Sequence, residues 1–197
     1  MTVAPRWPLR TERLLLRPYA PGDLEALHAI HSDAAVARWL YNEPRTLEET
    51  RELLTYKLAA AALRGEGEWL SAAAVLPETG ELVGDISLLW ASEAHRQGEL
   101  GFIVHPAHQR KGYATEASRP VLAFAFETLG LHRVVGRLEP RNTGSARVLE
   151  TLGMRREAHL VENEWVKGEW QGELVYAILA REWRDASAGG DGDGDGY

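Results

Sequence analysis

The residues with the means to do chemistry crowd into one stretch, residues 99–117, which reads Glu-Leu-Gly-Phe-Ile-Val-His-Pro-Ala-His-Gln-Arg-Lys-Gly-Tyr-Ala-Thr-Glu-Ala. It opens on a carboxylate, Glu99, that could take a proton. It closes on Gln109, Arg110, Lys111, Gly112, Tyr113, Ala114 and Thr115, whose types suit a bound anion. The free N–H groups at a helix start carry the positive end of the macrodipole, and a glycine beside a small residue lets a phosphate approach the main chain closely. Arg110 and Lys111 add charge, and Thr115 adds a hydroxyl in the first helical turn. Neither Gly-x-Gly-x-x-Gly nor Gly-x-x-x-x-Gly-Lys-Ser/Thr occurs here, so the dinucleotide and nucleoside-triphosphate loops are set aside. The plain alternatives are a solvated strand-end glutamate and an ordinary basic strand-to-helix turn.

The surrounding pattern says which elements must hold these residues. Residues 100–104 are an apolar run of strand length that Pro106 stops. Beyond Gly112 the apolar positions Ala114, Ala117, Val121, Leu122, Phe124, Ala125 and Leu129 recur at helical spacing, so a buried strand passes through the basic loop into a helix. Upstream, a short strand at 14–16 ends at Pro18, and Pro21 opens a helix with Leu24, Leu27 and Ile30 inward. A second helical piece covers 33–40. Thr46 with Glu49 forms a capping box ahead of a helix over 47–63, with Leu53, Leu54, Leu58 and Ala61 facing in. Residues 69–76 and 82–89 pair as an antiparallel hairpin around Pro-Glu-Thr-Gly.

Downstream, Gly130 caps the helix, 133–138 is a further strand, and 145–152 is a short helix closed by Gly153. Two last strands, 159–166 and 174–183, join around residues 167–170. This order implies an α+β sandwich. Residues 1–10 read as a loose arm, 11–184 as one domain, and the Gly/Asp-rich 185–197 as a disordered tail. Asp191, Asp193 and Asp195 imitate the opening of a calcium loop, but no closing glutamate follows.

The 197 residues suffice to bury a core without staples, and the absence of cysteine removes thiol nucleophiles, disulfides and thiolate-bound zinc. It also fits a reducing, cytoplasmic setting. A formal charge of -7 disfavours nucleic acid and anionic membrane, and fits either a cationic amine partner or simple solubility. His28 and His31 share a helix without a third ligand, so no metal is expected.

Residues 109–114, as Gln/Arg-x-x-Gly-x-Gly/Ala, resemble the pyrophosphate loop of the GNAT acyltransferase superfamily. Thirty residues on, Asn142-Thr-Gly-Ser-Ala-Arg-Val-Leu-Glu-Thr-Leu-Gly-Met154 resembles that superfamily's second signature. Thr11-Glu-Arg-Leu-Leu-Leu-Arg-Pro18 with Asp23-Leu24 is similar to the opening of the ribosomal-protein N-terminal acetyltransferase branch. Gly168-Glu169-Trp170, Tyr176 to Leu179 and Glu182-Trp183 are similar to its closing hairpin.

The resemblance implies a GNAT fold, with a mixed, mostly antiparallel, splayed sheet flanked by helices on both faces, using acetyl-CoA as co-substrate. It implies that the main chain of Phe102, Ile103 and Val104 holds the pantetheine arm and that residues 109–115 hold the diphosphate. Asn142 would serve the pantetheine or the splayed backbone, its alternative role being that of a turn residue after Pro140. Arg147 would reach the nucleotide end or simply be solvated. Glu99 is the first candidate base, with Asp85 and Glu164 behind it. The tyrosine that many members use to protonate the departing thiolate is replaced by Leu149, which leaves Ser145 as the candidate acid, unless it only caps a helix. Trp39, Trp90 and Trp165, with Trp170, fall on elements that border the acceptor cleft or simply pack the core. The implied acceptor is a peptide N-terminal amine, with a small amine, amino acid or antibiotic as alternatives, and homodimers are common in the branch. A non-catalytic acyl-CoA sensor is the rival reading.

Overall fold

The computed structural model describes residues 2–189. Eight strands form one sheet: β1 (Leu9–Arg10), β2 (Leu15–Arg17), β3 (Trp69–Val75), β4 (Leu82–Ser92), β5 (Gln97–Val104), β6 (Arg133–Leu138), β7 (Arg155–Val166) and β8 (Glu169–Leu179). Their spatial order is β1-β2-β3-β4-β5-β6-β8-β7. Every pairing is antiparallel except β5 with β6. That exception follows from connectivity, because β5 and β6 are joined by a helix rather than a hairpin, and a crossover returns the chain in the same direction. The expected α+β sheet with helices on both faces is therefore present.

The helices are α1 (Leu24–His31), α2 (Ala34–Ala37), α3 (Leu47–Ala59), α4 (Tyr113–Ala123), α5 (Thr143–Thr151) and α6 (Ala180–Gly189). Strand alternation sends Ile86, Leu88, Leu100 and Phe102 to one face, where they join Val121, Leu122 and Leu149 of α4 and α5 in the larger core. Ala73, Val75 and Ile103 face the other way, toward Leu27, Ile30 and Leu54 of α1 and α3. The Thr46–Glu49 capping box forms as the sequence implies, with the Thr46 N–H 2.7 Å from Glu49 Oε2.

Four expectations are corrected. The 1–10 arm is not loose: β1 pairs with β2, Val3 bridges Leu63, and Trp7 Nε1 donates to Ala61 O at 2.9 Å. Helix α3 stops at Ala59 rather than 63, and its buried face is Thr50, Leu54 and Lys57 rather than Leu53, Leu54, Leu58 and Ala61. The reason is a polar interior: Lys57 reaches the buried Asp85 and Thr50 Oγ1 lies 3.0 Å from His28 Nδ1, contacts no hydrophobicity pattern registers. Strand β8 ends at Leu179, and residues 180–183 turn helical because Glu182 accepts the Leu179 N–H at 2.8 Å and starts α6. The first part of the presumed disordered tail, 185–189, therefore lies in α6, while Asp191, Asp193 and Asp195 lie outside the described residues.

Candidate active site

The predicted loop is built at the end of β5. After Val104 the chain turns at Pro106, and Gln109 Nε2 donates to Val104 O at 3.1 Å, tying the loop back to the strand. Arg110 and Gly112 then take left-handed backbone angles, φ 61° and 83°. Gly112 is the N-cap of α4, and the first helical bond runs from Glu116 N–H to Gly112 O at 3.0 Å. Ahead of that bond, none of the main-chain N–H groups of residues 110–115 is taken by a backbone carbonyl of the described residues. Such a run of free donors at a helix N-terminus is a cradle for an anion. Arg110 and Lys111 are exposed beside it, while Tyr113, Ala114 and Thr115 are half-buried. Neighbouring Glu116 is gripped by Thr11 and Arg13 from the front hairpin.

The strand pair next to this loop is forked. β5 pairs with β6 only at Gln97↔Arg133, Gly98↔Val134 and Glu99↔Val135, whereas β6 continues along β8 to Leu138. From residue 100 to 104, including Phe102, Ile103 and Val104, the β6-facing edge of β5 has no strand partner among the described residues. An extended ligand can supply the missing pairing. Helix α5 is pressed onto β6 on the far side of the fork: a Cβ on Gly136 would fall 2.7 Å from Leu149 Cδ1. Leu149 is thus core, packed against β6, and a larger side chain there would require the helix packing to be rebuilt.

At the open end of the fork, Asn142 is the N-cap of α5, its Oδ1 accepting the Ser145 N–H at 3.1 Å. Its acceptor is therefore engaged and its amide donors remain. Ser145 is half-buried in the first turn and does not cap the helix, so the structure removes that alternative for the serine. Arg147 is exposed on α5.

Glu99 stands where the pairing of β5 and β6 ends, in a cleft of about 120 Å³ that also holds Trp39, Tyr41, Arg137, Glu164 and Glu173. Burial raises its proton affinity, the Arg137 guanidinium at 3.3 Å opposes that, and Glu173 reinforces it; the net shift is upward. Arg137 also holds Glu173 at 2.9 Å. Glu139, at the same cleft, pairs with Arg141 at 2.7 Å, whereas among the described residues Glu164 accepts from the neutral Tyr41 hydroxyl alone, also at 2.7 Å. Tyr41 is correspondingly pushed up by burial and by that carboxylate. Lys167 Nζ donates to Ala37 O at 2.6 Å, so two bonds tie the segment after α1 to the β7–β8 hairpin over the cleft.

Of the four tryptophans expected at the cleft, Trp39 lines it, with Arg38 stacked 4.6 Å from its ring centre. Trp165 lies next to Glu164, exposed and edge-on to Trp170 at 5.4 Å. Trp90 is not brought there: it faces the α4 side and packs on the larger core. Asp85, a lower candidate base, is also elsewhere. It is buried with Lys57 Nζ at 2.7 Å from Oδ2 and His31 Nε2 at 3.5 Å, beside a separate pocket of about 290 Å³. Lys57 and His31 together outweigh the cost of burial and hold Asp85 well below the usual carboxylate range, so it is a poor proton acceptor. Sequence reasoning missed Tyr41, Arg137 and Glu173. The available signal was a charge inside an otherwise apolar strand, Arg137 among Val134, Val135 and Leu138, and Glu173 ahead of Leu174. Among the described residues no group of three or more His, Cys, Asp or Glu is placed to hold a metal ion, and no helix is long and apolar enough to cross a membrane.

Comparison with known proteins agrees with this geometry. Residues 13–155 match the family model described as acetyltransferase (GNAT) domain. The Bacillus subtilis protein named uncharacterized N-acetyltransferase YnaD is 30% identical over 175 residues, 89% of this chain and 98% of its own length. Spermidine N(1)-acetyltransferase of Vibrio cholerae is 27% identical over 176 residues, 89% of this chain and 98% of its own. A crystal structure of a GNAT-family acetyltransferase from Bacillus anthracis superposes with a TM-score of 0.80 at 32% identity, covering 88% of this chain and 98% of that one. The forked sheet, the run of free amides and the match across most of the chain have one explanation: this protein belongs to the GNAT family and is an acyl-CoA-dependent N-acetyltransferase.

Proposed function

We propose that the chain transfers an acetyl group from acetyl-CoA to a primary amine held against Glu99, and that the preferred acceptor is a small amine bearing a second positive charge. The observation that carries the acceptor is the charge pattern of the cleft. Glu99 and Glu173 share Arg137, Glu139 has Arg141, and Glu164 is left with the Tyr41 hydroxyl. One cleft carboxylate therefore lacks a cationic partner among the described residues, and a second ammonium on the acceptor would supply it. The cleft of about 120 Å³, tied over by Tyr41 and Lys167, suits a slender chain.

Acetyl-CoA supplies an acetyl thioester whose carbonyl carbon the amine nitrogen attacks, the carbon–sulfur bond breaking to release the thiol. The residues fit that ligand: the amides of 110–115 would take the diphosphate, the unpaired edge of β5 at 102–104 the pantetheine, and the Asn142 amide the same arm. An alkylammonium with a pKa of about 10.4 must lose a proton before it can attack. Glu99, half-buried and with its proton affinity raised, is the group in the cleft suited to receive it, directly or through a water. A thiolate with a pKa near 8.5 leaves readily, so a proton from Ser145 Oγ assists without being required. With no cysteine in the chain, the acetyl group passes straight to the amine without a thiol relay.

A second reading, the peptide N-terminal amine suggested by the front and rear motifs, is favoured by one feature. Trp165 and Trp170 form an exposed aromatic pair one register step from the Glu164↔Gln171 pair, a surface on which a peptide could lie. Release of free CoA in the presence of diamines and triamines, monoamines and N-terminal peptides separates the two. Turnover confined to di- and triamines is expected. Turnover confined to peptides would install the second reading, and the absence of release with any of the amines would leave an acyl-CoA sensor.

A further inference from the structure

The diphosphate cradle contains a charge of the wrong sign. Glu116 lies in the first turn of α4, one residue past the free amides. Without a ligand a carboxylate there is favourable to the helix dipole, but a bound diphosphate would be repelled by it. The structure deals with this carboxylate from outside the loop. Its Oε1 accepts the Thr11 hydroxyl at 2.6 Å and the Arg13 main-chain N–H at 2.7 Å, and its Oε2 accepts Arg13 Nε at 2.7 Å with the second guanidinium nitrogen at 2.6 Å. Both donors come from the turn between β1 and β2, more than a hundred residues away in sequence. The same guanidinium lies 4.9 Å from the centre of the Tyr113 ring, and one of its nitrogens is 3.3 Å from where a Cβ on Gly112 would stand.

We propose that Arg13 is a cofactor-positioning residue: by clamping Glu116 toward the front hairpin and neutralising it, Arg13 leaves the α4 N-terminus open to a diphosphate. The hairpin that the sequence presents as an entry to the domain is then part of the nucleotide site. This inference rests on acetyl-CoA binding at residues 110–115.

Calorimetric titration of the full-length chain with CoA tests it, alongside acetyl-CoA KM and kcat. Arg13→Gln is expected to weaken CoA binding and raise KM about tenfold, the scale of one like charge at close range in a partly exposed site, with kcat little changed. Raising salt should shrink the deficit because it screens Glu116. The double variant Arg13→Gln/Glu116→Gln is expected to bind within about threefold of wild type, and Arg13→Lys to bind more tightly than Arg13→Gln. A merely structural role for Arg13 would lower the melting temperature without salt dependence and without recovery in the double variant. An unchanged CoA affinity in Arg13→Gln, or a double variant as weak as the single one, overturns the proposal. Failure of the wild type to bind CoA would instead overturn the cofactor reading on which it rests.

Discussion

Glu99 and Arg137 meet across the fork of the sheet. Glu99 is in the last paired register of β5 with β6, opposite Val135, and Arg137 stands two residues further along β6 with Nε 3.3 Å from Glu99 Oε2. The ion pair bridges the strands where their main chains stop bonding. It also sets the protonation of Glu99: burial and Glu173 raise its proton affinity and Arg137 restrains the rise. Acidity and strand separation are thus coupled in one place.

The coupling is readable in pH–rate profiles. If Glu99 is the base, kcat/KM falls as pH drops through its raised pKa, and Glu99→Gln removes that limb together with about a hundredfold of rate. Arg137→Met withdraws the restraining cation and leaves Glu99 beside Glu173, so the limb moves to higher pH. An unaltered profile in Glu99→Gln would remove it from the chemistry.

Gly112→Asp places a carboxylate and a Cβ at a φ of 83° in the anion cradle, 3.3 Å from Arg13. The left-handed backbone costs about 1–2 kcal/mol of stability for a residue other than glycine. Binding of acetyl-CoA is expected to disappear in calorimetry while the circular dichroism spectrum stays native. Wild-type affinity would dislodge the diphosphate from this loop.

Asn142→Ala separates two roles of one side chain. Loss of the cap on α5 costs about 1 kcal/mol in chemical denaturation whatever the residue does for the cofactor. If its free amide also serves the pantetheine, KM for acetyl-CoA rises or kcat falls in addition. A stability loss with wild-type kinetics confines Asn142 to capping.

Asp85 predicts how the fold meets acid. Its proton affinity is depressed in the folded state, chiefly through Lys57 against the opposing cost of burial, so its stabilisation is complete above the unfolded pKa of about 3.9 and is lost as pH falls below it. Asp85→Asn leaves Lys57 buried without a counter-charge and is expected to cost about 3–5 kcal/mol at neutral pH, while Asp85→Asn/Lys57→Met recovers part of the loss. Denaturant titrations at pH 7 and pH 3 measure both effects. A double variant less stable than the single one would show that the pair is not coupled.

Much of the fold was legible from local pattern. Two strand-like runs around a Pro-Glu-Thr-Gly turn gave the hairpin of β3 and β4, the Thr46–Glu49 box started α3 where it begins, and the glycine at 112 with apolar spacing beyond it located α4. These succeed because hydrophobic period, capping and φ > 0 are properties of a few adjacent residues. α3 was misread for the opposite reason: its buried Thr50 and Lys57 are buried only because His28 and Asp85 meet them, and no window of sequence contains both partners. The docked front arm, the helical 180–183 and the placement of Trp90 were decided in the same way, by contacts made after the chain closes.

For the site, the sequence alone put forward residues 109–115 as an anion loop and Glu99 as a base, and determined the absence of cysteine, because each depends on residue type and short spacing. Tertiary structure alone decided that β5 and β6 part company after Glu99, that Arg137 and Glu173 tune Glu99, that Glu164 has no cationic partner among the described residues, and that Arg13 grips Glu116. Those relations join residues up to 123 positions apart, as Tyr41 and Glu164 are. Electrostatic energy depends on distance through space, which only the folded chain sets.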